Sequence, residues 1–281
     1  MATYMYWREY SGSWVLIPSN PLGIVHFLGG AFVATAPHIT YRWLLEELGK
    51  QGYIIVATSF LNTLDHKAIA VNVQNRLENV LSRLQYNLQL DIKDLPIYGV
   101  GHSMGCKLHL LIGSLFEVKR AGNILMSFNN YPLQKAIPFM ENILPALKLN
   151  LKQLNINNDW KIDENLQFEF TPSPEETELI IKENYQVQKN LVIQFNDDTI
   201  DQTDTLQPLL KQLYPEQISS LTLTGNHLTP LGKDFDVENI PETDSPLDAI
   251  GKWFKDNYSR DLFQLHQEIS SWLNPTVEVD F

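Results

Sequence analysis

Two patterns of apolar positions alternate along the chain. Short apolar runs typical of buried strands occur at 23–27, 53–60, 95–102, 122–128, 190–195 and 219–225. Longer runs with apolar residues at helical spacing occur at 41–53, 68–88, after residue 103, at 205–214 and at 248–273. This alternation of strands and helices predicts a doubly wound, mostly parallel α/β sheet. At the start of the chain, residues 4–17 alternate aromatic and polar positions around a Ser-Gly pair and predict an edge hairpin.

One region interrupts this alternation. Residues 129–190 are far more numerous than the roughly two to six residues that commonly join neighbouring elements. Their content of Phe, Leu and Ile favours a folded cap over a disordered loop. Near the end of the region, Ser173 is expected to cap a helix that has Pro174 at its first position. We therefore expect an α/β core of residues 1–128 and 191–281 with an inserted cap at 129–190.

The hydrophobic content and net charge of the chain limit the kinds of partner that it can bind. A chain of 281 residues with 44% hydrophobic content can bury the core of one large domain. The formal net charge is -12 and no Lys/Arg cluster interrupts the acidic balance, so the electrostatic footprint of a nucleic-acid binder is missing. No run of about 18 apolar residues occurs, and the first residues lack a basic segment followed by an apolar one. We expect a cytoplasmic protein without a transmembrane segment.

The segment LPIYGVGHSMGCKLHLLIG, residues 95–113, carries the most specific pattern in the chain. Gly101, Ser103 and Gly105 form a G-x-S-x-G turn between a strand-like run and a helix-like run. In such a turn the serine is strained and exposed, while its small neighbours let the backbone pack closely. The positive end of the following helix stabilises a nearby anion. Ser103 is therefore the expected nucleophile, and Cys106, further along the apolar helix, is the expected core residue.

A serine nucleophile needs a base, and the base needs a carboxylate that fixes its tautomer. Of the seven histidines, His227 follows the last predicted strand, where a loop brings it to the carboxyl edge of the sheet. His266 lies within a predicted helix, where a surface or packing role is more common. The run VIQFNDDTIDQTD after the penultimate strand offers the aspartates Asp197, Asp198, Asp201 and Asp204. It lacks the turn glycine of an EF-hand loop, and the single cysteine excludes a multi-cysteine metal site, so no metal or cofactor is expected.

Four motifs occur in the order of nucleophile, acid and histidine: HFLGG (26–30), GHSMG (101–105), VIQFNDD (192–198) and TGNHLTP (224–230). On these motifs the sequence resembles the α/β-hydrolase superfamily over nearly its whole length. It also resembles an uncharacterised branch of that superfamily from photosynthetic lineages, which implies no particular substrate. The resemblance implies the α/β-hydrolase fold, with Asp198 as the acid and Asp201 as the second choice.

The HFLGG segment looks like the HGxGG turn of the superfamily, whose backbone N–H groups help to form an oxyanion hole. Phe27 stands in place of the first glycine of that turn. The resemblance therefore implies Met104 N–H as one oxyanion donor, and Leu28, Gly29 or Gly30 as the source of the other.

The expected activity is metal-free hydrolysis of a carboxylic ester or thioester, with a small-molecule ester or lipid-like substrate that carries an apolar acyl group. In the inserted region, Trp160, Phe168 and Phe170 either line an acyl pocket or form the core of the cap. Two other functions stay open: acyl transfer on the same triad, and a non-catalytic receptor or scaffold that holds an apolar ligand in the same pocket.

Overall fold

The computed structural model describes residues 5–31, 33–133, 169–231 and 258–274. Within these residues eight strands form one sheet in the order β1-β2-β4-β3-β5-β6-β7-β8. The strands are β1 (Arg8–Tyr10), β2 (Ser13–Leu16), β3 (Gly23–Leu28), β4 (Tyr53–Thr58), β5 (Ile97–His102), β6 (Gly122–Met126), β7 (Asn190–Phe195) and β8 (Ile218–Leu223). β1 and β2 form the predicted antiparallel edge hairpin, and strands β3 to β8 are parallel. The predicted doubly wound, mostly parallel sheet is confirmed.

Helices cover both faces of the sheet. They are α1 (Pro37–Thr40), α2 (Arg42–Lys50), α3 (His66–Ser82), α4 (Met104–Leu115), α5 (Pro174–Asn184), α6 (Thr203–Leu213) and α7 (Tyr258–Leu273). α3 begins two residues before the predicted run because the Asp65 carboxylate accepts a hydrogen bond from the Ala68 N–H (2.8 Å) and caps the helix. The predicted start of the terminal helix, residues 248–257, lies outside the described residues.

Alternate side chains of each strand pack on opposite faces of the sheet. Phe27 of β3 lies in a buried cluster with Leu48 of α2 and Leu265 of α7. Its neighbour Leu28 lies in a second cluster, with Leu108 of α4. Each such side chain stabilises the fold by roughly 2 kcal/mol when fully buried. The core therefore consists of two layers of side chains, one on each face of the sheet.

The two ends of the predicted cap meet on the core. The Leu133 N–H donates to Glu169 Oε1 (2.9 Å), and Asn130 Nδ2 donates to the Pro174 carbonyl (3.0 Å). Residues 134–168, between these contacts, lie outside the described residues, so the extent of the cap stays a prediction.

Helix α5 begins as the sequence predicts. Ser173 Oγ accepts a hydrogen bond from the Glu176 N–H (3.2 Å), and the Glu176 carboxylate accepts one from the Ser173 N–H (2.9 Å), with Pro174 at the first helical position. Ile181 of α5 then packs in one buried cluster with Leu110 of α4. The end of the inserted region is thereby fixed to the helix that follows the G-x-S-x-G turn.

Four histidines are almost completely buried: His26, His66, His102 and His109. Burial is the main cause that lowers the pKa of each, and it brings those of His66 and His102 to about 3. The positive charge of Arg120, whose guanidinium donates to His26 Nδ1 (3.0 Å), further lowers the pKa of His26 and His109. The folded protein therefore holds these imidazoles neutral.

We expect the free energy of unfolding to fall as the pH decreases below about 6.5, the ordinary pKa of histidine. Below that pH the unfolded chain binds protons that the buried imidazoles of the folded protein do not, and each contributes up to about 1.4 kcal/mol per pH unit. Asp201 acts in the opposite direction between about pH 6 and 4, because burial raises its pKa to about 6 and the folded protein binds that proton first.

Urea unfolding at several pH values between about 7.5 and 4.5 measures this dependence. The double variant His26→Gln, His109→Gln should show a shallower slope than the wild-type protein. A free energy of unfolding that stays constant down to about pH 5 would contradict the expectation.

Candidate active site

Ser103 alone makes the turn between β5 and α4. Its φ is +54° and its ψ is -118°, a backbone conformation that non-glycine residues rarely adopt. The Ser103 N–H donates to the Met126 carbonyl (2.9 Å), which ties the turn to the end of β6. The sequence pattern therefore forms the strained strand-to-helix turn that it predicts.

Two glycines allow this turn. A Cβ atom at Gly105 would overlap the carbonyl oxygen of Leu28, and one at Gly101 would lie 2.7 Å from the backbone nitrogen of Cys106. Both obstacles are backbone atoms, which cannot move aside as the end of a flexible side chain can. The G-x-S-x-G spacing is thus required by the contact of α4 with β3 and β5.

The loops after β7 and β8 bring an acid and a histidine to the same sheet edge as Ser103. His227 Nε2 lies 3.0 Å from Ser103 Oγ, and His227 Nδ1 lies 2.7 Å from Asp198 Oδ2. When Nδ1–H donates to the carboxylate, Nε2 is left to accept the hydrogen bond of the serine hydroxyl. Asp198 Oδ1 accepts a hydrogen bond from the Ile200 N–H (3.0 Å). The three side chains form one continuous chain of hydrogen bonds.

Backbone contacts hold these two loops together. The Asp197 N–H donates to the Gly225 carbonyl (3.0 Å), and the Gly225 N–H donates to Asn196 Oδ1 (3.2 Å). Gly225 has a φ of +120°, and a Cβ there would overlap the Thr229 hydroxyl. That hydroxyl accepts a hydrogen bond from the Asn226 N–H (2.9 Å). The residues of the TGNHLTP motif therefore form a tight turn that presents His227.

The charge of Asp198 is buried but compensated. Its side chain has 0% exposure, whereas that of His227 has 17%. Burial by itself raises the pKa of Asp198, but the hydrogen bond and charge of His227, with the Ile200 N–H, outweigh burial and hold this pKa below its ordinary value. Asp198 is therefore ionised at neutral pH and orients the His227 ring.

Asp201, the second choice for the acid, lies nearby but faces α6. Its Oδ1 accepts a hydrogen bond from the Thr203 N–H (2.7 Å), and its buried Oδ2 has no partner within the described residues. Burial, with a smaller contribution from the charge of Asp198, raises the pKa of Asp201 to about 6. Asp197 and Asp204 are exposed. The structure thus brings Asp198, and none of the other three aspartates, into contact with His227.

The glycine turn after β3 passes close to Ser103. A Cβ at Gly30 would lie 3.4 Å from Ser103 Cβ. The Gly30 N–H already donates to Tyr41 Oη (2.8 Å), whereas the Gly29 N–H has no acceptor in the described part of the chain. Met104 is the first residue of α4, so its N–H has no acceptor within the helix. The N–H groups of Gly29 and Met104 are thus without a backbone acceptor in the part of the chain that the structure describes.

Leu28 and Phe27 of the HFLGG segment have structural contacts. Leu28 is the last residue of β3 and pairs with Gly101 of β5. Phe27 is completely buried, and its ring centroid lies 4.6 Å from that of Tyr41. Its side chain therefore fills the core on the α2 face instead of entering the space around Ser103.

Two residues that sequence reasoning missed complete the surroundings of the site. His102, next to Ser103, lies 2.8 Å from Tyr41 Oη through Nδ1 and 2.7 Å from the His227 carbonyl oxygen through Nε2. Tyr41 lies 61 positions before His102 in the sequence, and no sequence pattern connects the two.

The remaining candidates lie in packed surroundings. Cys106 is buried, as predicted, and its thiol donates to the carbonyls of Gly101 and Met126. His266 packs edge-on against a tryptophan of α2. Phe170 stacks on His66 with ring centroids 4.1 Å apart, whereas Trp160 and Phe168 lie outside the described residues.

Within the described ranges, no three His, Cys, Asp or Glu side chains are arranged to hold a metal ion. No helix of the same ranges has the length and apolar character that crossing a membrane requires.

A family model described as "Protein of unknown function (DUF1350)" matches residues 6–275. No curated protein matches the chain. Solved structures of similar fold include FphF, a fluorophosphonate-binding serine hydrolase from Staphylococcus aureus, with a TM-score of 0.55 and 12% identity over 96% of this chain and 98% of that one. S-formylglutathione hydrolase from the same organism has a TM-score of 0.55 and 11% identity, over 97% and 100% of the two chains.

Dienelactone hydrolase from Anabaena variabilis is similar in fold as well. Its TM-score is 0.52 and its identity 13%, with 96% of each chain covered. At identities this low, the TM-scores above 0.5 over nearly the whole chain show a common fold and nothing more. The expected α/β-hydrolase fold is thereby confirmed.

Proposed function

The chain belongs to this DUF1350 family, and we propose that it is a serine hydrolase that cleaves a carboxylic ester or thioester. The observation that carries the proposal is the hydrogen-bonded chain from Ser103 through His227 to the buried Asp198, with Ser103 on a strained turn. A serine in an ordinary strand-to-helix turn does not require a histidine nitrogen 3.0 Å from its hydroxyl oxygen. A histidine in an ordinary loop does not require an ionised, buried carboxylate on its other ring nitrogen.

In the first half of the proposed reaction, His227 Nε2 takes the hydroxyl proton of Ser103 while Ser103 Oγ attacks the substrate carbonyl carbon. The carbonyl oxygen becomes an oxyanion, which accepts hydrogen bonds from the N–H groups of Met104 and Gly29. When this tetrahedral intermediate collapses, the C–O or C–S bond breaks, and the leaving alcohol or thiol takes the proton from His227. The product of this half-reaction is an acyl ester on Ser103.

In the second half, water replaces the leaving group. His227 Nε2 takes a proton from the water, whose oxygen attacks the acyl carbon, and the same two N–H groups hold the new oxyanion. Release of the carboxylic acid returns the proton to Ser103 Oγ. Asp198 remains ionised throughout and stabilises the imidazolium of His227 in both halves.

A fluorophosphonate probe tests the proposal without knowledge of the substrate, because it forms an adduct only with a serine that has a base and oxyanion donors beside it. We expect one adduct per chain at Ser103, none in Ser103→Ala, and much slower labelling of His227→Ala. Intact-protein mass spectrometry measures the adduct. If folded wild-type protein stays unlabelled and binds an apolar ligand tightly, the receptor function is supported instead.

The role of the acid is tested by a matched pair of variants. Asp198→Asn should lower kcat by a factor on the order of 10⁴, because the amide no longer fixes the histidine tautomer. Asp201→Asn removes a neighbouring buried carboxylate that does not contact His227 and should change kcat little. Hydrolysis of a p-nitrophenyl ester measures both, and the reverse ranking would assign the acid to Asp201.

A preference for apolar acyl groups belongs to the proposal on the strength of the apolar residues at 129–150. Each methylene buried contributes about 0.8 kcal/mol, so kcat/KM should rise several-fold per carbon from acetyl esters until the pocket is full. A series of p-nitrophenyl esters measures the slope. Equal rates for acetyl and octanoyl esters would refute the preference, and ester products formed from an added alcohol would identify acyl transfer.

A further inference from the structure

Three hydrogen bonds join the loops of the site behind the triad. The Gly30 N–H donates to Tyr41 Oη (2.8 Å), Tyr41 Oη contacts His102 Nδ1 (2.8 Å), and His102 Nε2 contacts the carbonyl oxygen of His227 (2.7 Å). Tyr41 has 0% exposure and His102 has 2%. The series therefore runs through the interior from the glycine turn after β3 to the backbone of the histidine of the triad.

With a neutral His102 ring, only one arrangement of protons satisfies all three bonds. The Gly30 N–H can only donate, and the His227 carbonyl can only accept, so His102 must carry a proton on Nε2. His102 Nδ1 then accepts the single hydroxyl proton of Tyr41. Burial lowers the pKa of His102 to about 3 and raises that of Tyr41, so neither group changes its protonation near neutral pH.

We propose that Tyr41 and His102 are positioning residues for the hydrolysis, which together fix the glycine turn and the backbone of His227 relative to Ser103. The inference rests on the proposed function. Tyr41 keeps the Gly30 N–H turned away from the substrate, so that the adjoining Gly29 N–H is the one directed at the oxyanion. His102 anchors His227 at its main chain, while Asp198 anchors the same residue at its ring.

The physical reason is the precision that the reaction requires. The proton moves between Ser103 Oγ and His227 Nε2 over a contact of 3.0 Å, and a misplacement of about 1 Å at such a contact costs up to about 100-fold in rate. One hydrogen bond of this kind contributes only about 1 kcal/mol to folding. If these residues position the site, removing one of the bonds should lower kcat strongly while it lowers the free energy of unfolding only slightly.

Two other buried residues provide matched controls. Tyr185 Oη also accepts one hydrogen bond, from Asn123 Nδ2 (2.8 Å), and donates one, to Asn190 Oδ1 (2.6 Å), but it lies in the core between α5 and β7. His109 Nε2, like His102 Nε2, lies against a backbone carbonyl, that of Val100 (3.2 Å). Tyr185→Phe and His109→Leu thus remove similar bonds at positions outside the site.

The experiment compares kcat, KM and the free energy of unfolding for Tyr41→Phe and Tyr185→Phe with a p-nitrophenyl ester. We expect Tyr41→Phe to lower kcat by about 10- to 100-fold with KM within about twofold, and Tyr185→Phe to leave kcat nearly unchanged at a similar loss of stability. Equal effects of the two variants on kcat would overturn the proposal.

Replacement of His102 supplies a rescue test. In His102→Gln the side-chain amide can still donate to the His227 carbonyl, whereas His102→Leu has no donor. We expect His102→Leu to lose about 10- to 100-fold in kcat and His102→Gln to recover most of that loss, with His109→Leu close to wild type in kcat. If His102→Gln and His102→Leu lose kcat equally, or if neither loses any, the anchoring of His227 is refuted.

A spectroscopic measurement separates this inference from the proposed function. Nitrogen-15 NMR of histidine-labelled wild-type protein should show His102 as the Nε2–H tautomer, without titration between about pH 5 and 8. An Nδ1–H tautomer, or titration near pH 6.5, would overturn the proton arrangement even in an active enzyme. Absent esterase activity and absent fluorophosphonate labelling, with the Nε2–H tautomer observed, would instead refute the hydrolase while leaving the hydrogen-bonded series intact.

Discussion

The close approach of α4 to the carbonyl end of β3 is the contact on which the site depends. Gly105 lies directly against the Leu28 carbonyl, and any side chain there would push the helix away from the sheet. Ser103 alone joins β5 to α4, and its backbone holds a strained conformation at a cost of about 1 to 3 kcal/mol. Packing of the core thus fixes the position of the Ser103 turn.

The burial of charge sets the second constraint. A carboxylate without solvent exposure costs several kcal/mol unless it is paired and hydrogen-bonded, and Asp198 obtains both from His227 and the Ile200 N–H. The same contacts that stabilise this charge also hold the imidazole ring in one orientation. The same bonds therefore stabilise the charge of Asp198 and orient the ring of His227. A change in either contact alters both.

Local patterns in the sequence predicted most of the fold and part of the candidate site. The short apolar runs of the strands, the Ser173 helix cap and the G-x-S-x-G turn each arise within a few residues, so the sequence predicted them. Spacing left four aspartates open after β7, and only the family resemblance favoured Asp198, because the turn through the Ile200 N–H has no sequence signature. The contact of Tyr41 with His102 arises from tertiary packing between residues 61 positions apart, and no periodic pattern in the sequence indicates it.

The contacts at the two ends of the inserted region have a consequence for the length of the segment between them. Leu133 and Glu169 already meet through a hydrogen bond on the core, so the ends of the intervening segment are fixed in space. The entropy of closing a loop between fixed ends grows slowly with length, by about 0.6 kcal/mol for each doubling. A change in the number of residues between these two positions therefore changes the loop-closure part of the free energy of unfolding only slightly.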